Sequence, residues 1–130
     1  MNTKLTKEER LHSKKLANLL FTEGKSFFLY PFKVFFVIEN NTMEKPVRLM
    51  VTISKRSFKK AVERNRIKRL VKECYRLHKN ELSEHLKNHN KTLIFGLVYV
   101  GETILSYQEV ERKLILILQR LIEQDEEHIG

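Results

Sequence analysis

One segment of the chain, residues 55–79, is both strongly basic and periodic, and it constrains the fold more than any other. It holds eleven basic and two acidic residues, whereas the whole chain has a net charge of +9. All of the excess positive charge therefore lies here. From about Ala61 the apolar residues recur at helical spacing on an arc of about 120°, namely Ile67, Leu70, Val71, Cys74, Leu77 and His78. The segment predicts a long helix with one packed face and one cationic face.

The cationic face indicates the class of partner. Like charges that a fold holds close together repel one another, and a polyanion relieves that repulsion. A solvated helix face is the simpler explanation of most charge runs. This run, however, contains almost no acidic residues among its basic ones, so nucleic acid is the favoured partner, ahead of an anionic membrane. The residues predicted to bind this nucleic acid are Lys55, Arg56, Lys59, Lys60, Arg64, Asn65, Arg66, Lys68, Arg69, Lys72 and Arg76.

The patterns on either side of this segment predict an order of α, β, β, α, β, α. Ser13 caps a first helix that ends at Gly24, and β-rich runs follow at 27–39, 47–54 and 91–100. The first two runs are expected to pair as an antiparallel hairpin across a loop at 40–46. Ser106 and Glu109 form a capping box at the start of the last helix. The fold class is an α/β (α+β) two-layer sandwich on a small mixed sheet.

The length of 130 residues suits one domain. We expect a flexible N-terminal arm at 1–12, a single RNA-binding α/β domain at 13–122, and an acidic C-terminal tail at 123–130 that frays. The N-terminus lacks the apolar stretch of a secretory signal, and no run approaches the length of a membrane span. A single cysteine, Cys74, suits a reducing compartment. A cytoplasmic location and no membrane partner are therefore expected.

The sequence shows no set of residues that would let the protein catalyse a reaction alone. Cys74 falls on the apolar arc and is expected to be buried and inert. His85 and His89 are four residues apart, but no third metal ligand is evident, so they are interpreted as surface histidines. The four scattered glycines exclude a phosphate-binding glycine-rich loop. We expect no catalytic residue and no metal held by the protein, which argues against a free-standing nuclease.

The run at 27–39 is rich in aromatic residues. If it were one strand, period-two alternation would place Phe28, Tyr30, Phe32 and Phe36 on one face and Phe27, Lys33 and Phe35 on the other. Core packing explains most of these rings. An exposed minority beside a cationic groove would form a stacking platform for single-stranded bases.

The basic helix also carries a family resemblance. Ala61-Val62-Glu63-Arg64-Asn65-Arg66-Ile67-Lys68-Arg69-Leu70, followed by Glu73 and Arg76, resembles the RNR helix of the protein component of bacterial ribonuclease P. Further matches are spread along the chain at Arg10-Leu11, Phe21, Gly24, Arg48 and Ile53-Ser54-Lys55-Arg56. The resemblance covers about residues 10–122.

The resemblance implies a subunit of the ribonucleoprotein that removes the 5′ leader from precursor tRNA. The RNA subunit would perform the Mg²⁺-dependent hydrolysis, so the protein would be part of an endoribonuclease without catalytic residues of its own. Its partners would be the ribonuclease P RNA and precursor tRNA, and it would be monomeric apart from RNA. Mg²⁺ would be held mainly by the RNA and not by the protein alone. The implied fold has an unusual left-handed β-α-β crossover (ribosomal protein S5 domain 2-like), against the usual handedness.

The resemblance also implies a leader-binding cleft between a helix and the sheet. Phe21 and Phe35 match its aromatic positions, and Lys33 shares the expected face of Phe35. Ala17 stands where many members have phenylalanine, and Met50 stands where a glycine is common, so the cleft is expected to differ in shape. The alternative is a general structured-RNA-binding or ribosome-associated protein with no processing role.

Overall fold

The structure is a computed structural model that describes residues 17–40 and 46–129. Its first helix, α1, runs to residue 23, and the remaining elements are β1 (Lys25–Leu29), β2 (Phe32–Glu39), β3 (Val47–Ile53), α2 (Ala61–His78), α3 (Asn80–Asn88), β4 (Thr92–Tyr99) and α4 (Tyr107–Ile129). The predicted arm at 1–12 and the Ser13 cap lie outside the described residues. None of the helices described is long and apolar enough to cross a membrane.

The four strands form one mixed sheet in the order β1-β2-β4-β3. β4 pairs antiparallel with β2 and parallel with β3, so it separates the two strands that were predicted to form a hairpin. That prediction was wrong. The reason is burial: seven of the eight residues of β4 are buried, whereas most of β3 is only half-buried. The most apolar strand takes a central position because both of its faces are covered there.

The predicted strand at 27–39 is two strands, β1 and β2, joined by a turn at Tyr30-Pro31. Proline has a fixed φ and no N–H to donate to a ladder, which suits a turn better than a strand interior. The reversal changes the predicted faces. Phe27 pairs with Val34 and shares the face of Phe32 and Phe36, while Phe28 pairs with Lys33 on the opposite face. The faces predicted for Phe27 and Phe28 were therefore wrong.

The main core lies between one face of the sheet and the helices α2, α3 and α4. The sheet contributes Phe32, Val34, Phe36, Leu93, Phe95, Leu97 and Tyr99, and these helices contribute mainly leucine, isoleucine and valine side chains. Ile67, Val71 and Cys74 of the predicted apolar arc are fully buried, whereas Leu77 remains 49% exposed. The predicted burial of Cys74 is confirmed, and burial raises the pKa of its thiol.

Helix α1 lies on the opposite face of the sheet. Its Leu20 is buried against β4, where a Cβ on Gly96 would come within 3.3 Å of Leu20 Cδ1. At its end, a Cβ on Gly24 would collide with the backbone carbonyl of Leu20. Glycine at these two positions lets the helix approach the strand closely and then end. Helix α1 thereby forms a smaller packed layer on this face of the sheet, opposite to the main core.

The last helix is longer than predicted. We expected residues 123–130 to fray, but α4 continues to Ile129, and Asp125 in this segment is buried. The capping box is confirmed, since the Glu109 backbone N–H donates to Ser106 Oγ at 3.3 Å, and Ser106 Oγ also lies 3.0 Å from Glu109 Oε1.

Replacing Ser106 with alanine is expected to lower the free energy of unfolding by about 1 kcal/mol, because a backbone donor at the start of α4 loses its acceptor. Urea denaturation followed by circular dichroism measures the change. Ser57→Ala, at an exposed serine in the loop before α2, serves as the control and should change it by less than about 0.5 kcal/mol. Equal losses in both variants would contradict the role of the cap.

Candidate nucleic-acid interface

The basic surface begins in the loop that joins β3 to α2. Phe58 anchors this loop because its ring is buried, with its centroid 6.0 Å from that of Tyr99, and its backbone N–H donates to the Ser54 carbonyl. The cationic residues on either side of this anchor are exposed, namely Lys55, Arg56, Lys59 and Lys60. The loop thus holds its positive charges at the surface while its one large apolar side chain fills the core.

Arg64 has a different environment from the other cations. Its Nη1 donates to the backbone carbonyls of Phe58 and Lys59, at 2.7 and 2.8 Å. Helix α2 has no side-chain cap at its N-terminus, and Arg64 fastens the preceding loop to the first turn instead. The structure therefore gives Arg64 a positioning contact within the protein, while its predicted RNA contact stays a prediction.

Most of the other predicted RNA-binding residues on α2 point to solvent. Asn65, Arg66, Arg69 and Lys72 are exposed and Lys68 is half-buried. Among the ion pairs found in residues 17–40 and 46–129, the predicted set contributes one member, Arg76, whose Nη2 lies 2.6 Å from Glu73 Oε1. The hydrogen bond from Arg76 lowers the pKa of Glu73. The unneutralised charge is concentrated on the loop and the first three turns of α2.

A cleft lies on the opposite face of the sheet, between α1 and the strands. It is lined by residues of α1, β2, β3 and β4, namely Ala17, Leu20, Phe21, Phe35, Met50, Thr52, Gly96 and Val98. Apart from Thr52 these side chains are apolar, so the cleft offers surfaces for stacking rather than groups for acid-base chemistry.

The structure brings the three predicted cleft residues together. The rings of Phe21 and Phe35 meet edge to face, with centroids 4.9 Å apart, and Lys33 Nζ lies 5.2 Å from the Phe35 centroid. Phe21 is 59% exposed despite this contact. The two positions that depart from the family pattern, Ala17 and Met50, both line the cleft. Because Thr52 lines the cleft and Lys55 follows three residues later, β3 connects the cleft to the basic loop.

Sequence reasoning missed a polar cluster that joins α3, β4 and α4. His85 Nε2 donates to Asp125 Oδ2 at 2.6 Å, and Lys91 Nζ donates to Asp125 Oδ1 at 2.7 Å. The side chains of His85 and Lys91 are 11% and 12% exposed, and that of Asp125 is 1% exposed. The interpretation of His85 as a surface histidine was wrong. Burial would raise the pKa of Asp125, but the hydrogen bonds and charges of Lys91 and His85 outweigh it and hold this pKa below its usual range.

The same cluster has the composition of a metal site. Potential ligand atoms of His85, His89 and Asp125 lie within 4.8 Å of one another. However, the Lys91 ammonium already neutralises the carboxylate, and His89 Nδ1 donates to the His85 carbonyl at 2.7 Å. These contacts describe an internal ion-paired network that holds three elements together. No local spacing could have revealed it, because Asp125 lies 34 residues from Lys91 and 40 from His85.

Known proteins are similar to this chain in both sequence and fold. The family model described as Ribonuclease P matches residues 5–122. The ribonuclease P protein component of Porphyromonas gingivalis is 33% identical over 117 residues, which cover 90% of this chain and 85% of that protein. That of Chlorobaculum tepidum is 54% identical over 41 residues, 32% of this chain and 27% of that protein.

Two solved structures have the same fold. The RNase P protein from Thermotoga maritima has a TM-score of 0.61 at 24% identity, covering 92% of this chain and 97% of that chain. The Staphylococcus aureus RNase P protein has a TM-score of 0.58 at 19% identity, covering 93% and 96%. They confirm the mixed α+β architecture. Since the family model spans nearly the whole chain and a relative at 33% identity is matched over most of its length, the chain belongs to the ribonuclease P protein family.

Proposed function

We propose that this chain is the protein subunit of the ribonuclease P ribonucleoprotein, the endoribonuclease that removes the 5′ leader from precursor tRNA. Family membership supports this proposal. The structural observation that carries it is that β3 connects two surfaces. One is the exposed cationic surface of the basic loop and α2, and the other is the aromatic cleft. One surface suits a structured RNA and the other suits an unpaired strand.

The cationic surface would bind the ribonuclease P RNA. Exposed guanidinium and ammonium groups neutralise phosphates and release counterions, which supplies affinity without sequence readout. Arg66 and Arg69 add planar forks that bind a phosphate through two hydrogen bonds. Arg64 contributes indirectly, because it holds the loop that carries Lys59 and Lys60. Arg76 contributes less, since Glu73 neutralises it.

The cleft would bind the single-stranded leader. The exposed ring of Phe21 and the half-buried ring of Phe35 offer faces and edges on which unpaired bases stack, and Lys33 places a positive charge beside Phe35 for a neighbouring phosphate. Ala17 leaves room at the α1 side of the cleft, while Met50 adds a flexible side chain at the β3 side. The resulting shape would set which leader bases fit best.

The hydrolysis itself would belong to the RNA subunit and its Mg²⁺ ions. Mg²⁺ prefers oxygen ligands in octahedral geometry. The candidate ligand set in the described part of the protein consists of two imidazoles and the Asp125 carboxylate, which already accepts a hydrogen bond from the Lys91 ammonium. This set does not fit Mg²⁺. We assign the metal to the RNA and the positioning of both RNAs to the protein, which acts as one copy in each particle.

Reconstitution with the ribonuclease P RNA of the same organism tests this function. At low Mg²⁺, adding the purified protein is expected to accelerate cleavage of precursor tRNA by the RNA. Absence of stimulation, together with equal affinity for unrelated structured RNAs, would overturn the proposal in favour of a general RNA-binding protein. Cleavage by protein freed of RNA would instead indicate a protein nuclease.

Replacing Phe35 with alanine is expected to weaken binding of precursor tRNA to the reconstituted enzyme roughly tenfold, the loss of about one stacked base. Binding of mature tRNA, which lacks the leader, should not change. Leu116→Ala removes an exposed apolar side chain from α4 and should leave both affinities unaltered. An equal loss for mature and precursor tRNA would contradict a leader contact.

A further inference from the structure

Two aromatic side chains outside the cleft remain exposed on the hairpin of β1 and β2. Phe28 is 57% exposed and Tyr30 is 54% exposed, and their ring centroids are 6.3 Å apart. Phe27, their neighbour on the other face, packs against Phe36 with a centroid distance of 5.9 Å. The exposed pair therefore does not complete the core. Adjacent exposed rings of this size are typical of a binding surface.

The register of the sheet connects this pair to the cleft. Phe28 pairs with Lys33, Lys33 with Val98, and Val98 with Thr52, so the four residues form one row across all four strands. Residues directly opposite each other in a sheet project from the same face. Val98 and Thr52 line the cleft. Phe28 therefore lies on the same face as the cleft, about 10 Å from Val98 at two strand spacings.

The side chains along this face combine four aromatic rings with one cation, Lys33. Phe21 contacts Phe35, Lys33 lies beside Phe35, and Phe28 pairs with Lys33 and contacts Tyr30. Proteins that bind single strands use this combination, because bases stack on rings while cations bind the intervening phosphates. A partner that needs both is an unpaired RNA strand rather than an apolar peptide.

The ends of the β-strands indicate the path that a bound RNA strand would follow. Leu29 pairs with Phe32, Phe32 with Tyr99, and Tyr99 with Ile53, so the hairpin turn and the end of β3 lie at the same end of the sheet. Lys55 and Arg56 follow the end of β3 and are exposed. An RNA strand that crosses this end of the sheet would have the basic loop on one side, the cleft in the middle and the aromatic hairpin on the other side.

We propose that Phe28 and Tyr30 form a second base-stacking site for the 5′ leader of precursor tRNA, adjoining the cleft and reached through Lys33. This inference rests on the proposed function and extends it. A second copy of this chain is a poorer occupant of the surface, because Lys33 stands beside the rings and each copy has a net charge of +9. The leader, by contrast, brings both bases and negative charge.

The experiment measures binding of precursor tRNAs whose leaders lengthen one nucleotide at a time to the reconstituted enzyme. The Phe28→Ala/Tyr30→Ala double variant is expected to lose roughly tenfold in affinity, starting at a leader length different from that at which Phe35→Ala first loses affinity. Mature tRNA should bind as before. Phe28→Tyr, which keeps the ring, should retain the wild-type affinity, and Leu116→Ala again serves as the matched exposed apolar control.

The outcomes separate the two proposals. If the wild-type enzyme shows no dependence on the leader, the proposed function of the cleft fails. If Phe35→Ala loses affinity for precursor tRNA while the double variant follows the wild-type curve at every length, the second stacking site alone is overturned. Sedimentation equilibrium adds one outcome: self-association of the wild-type protein that the double variant abolishes would make the hairpin a contact between copies and also overturn the inference.

Discussion

Replacing Asp125 with asparagine is expected to lower the free energy of unfolding by about 3 kcal/mol. The substitution keeps the shape of the side chain but removes its charge, so the Lys91 ammonium, only 12% exposed, loses its counter-charge inside the protein. His85 loses an ionic acceptor at the same time. The network links α3, the start of β4 and α4, so the change should act on the global transition seen in urea denaturation.

The pH dependence of this variant gives a second readout. The pKa of Asp125 is lower in the folded protein than its usual value. The stabilisation from the carboxylate is therefore fully present above the unfolded pKa of about 4, and is lost as the pH falls through the folded pKa. The difference in unfolding free energy between wild type and Asp125→Asn should shrink in that acidic range.

Glu126→Gln is the matched control, because it removes one negative charge from the next, exposed position of α4. It should change the unfolding free energy by less than about 0.5 kcal/mol. A similar loss in both variants would show that the acidic end of α4 acts through its net charge. A difference between wild type and Asp125→Asn that is as large below pH 4 as at pH 7 would also contradict the ion-paired network.

Elements whose signals are local could be predicted from the sequence. The start of α2 at Ala61, the β4 strand and the Ser106 capping box follow from periodicity and capping, which involve residues a few positions apart. Strand pairing is a different problem. The hairpin predicted between the runs at 27–39 and 47–54 fails because β4, far along the chain, competes for the same edges and is the more apolar strand.

The candidate site shows the same division. The cationic residues could be named from charge alone, Phe21 and Phe35 from the family resemblance, and Lys33 from the strand face that it shares with Phe35. The bond from Arg64 to the loop carbonyls could not be predicted in any of these ways. The turn at Pro31 reverses the chain and places Phe28 on the face of the sheet opposite to the predicted one. The exposure of Phe28 follows from this turn. The contact between Asp125 and His85 joins residues 40 positions apart, and only the packing of α3 against α4 brings them together.

Replacing both Arg66 and Arg69 with alanine is expected to lower affinity for the ribonuclease P RNA about 100-fold, at 1 to 3 kcal/mol for each lost contact. Both side chains are exposed, and neither has an ion pair within the described part of the chain. The slope of log affinity against log salt concentration should fall by about two, because two phosphates are no longer neutralised. Filter binding over a salt series at fixed Mg²⁺ measures both quantities.

A double variant elsewhere separates docking from general attraction. Lys87→Ala/Arg112→Ala removes two exposed cations from α3 and α4, so it changes the net charge equally without touching α2. Long-range attraction depends on total charge and is screened over about 10 Å at 0.1 M salt, whereas a docked phosphate depends on where the cation lies. The control should therefore keep most of the affinity and the wild-type slope. Equal losses in the two double variants would mean that charge, and not the surface of α2, attracts the RNA.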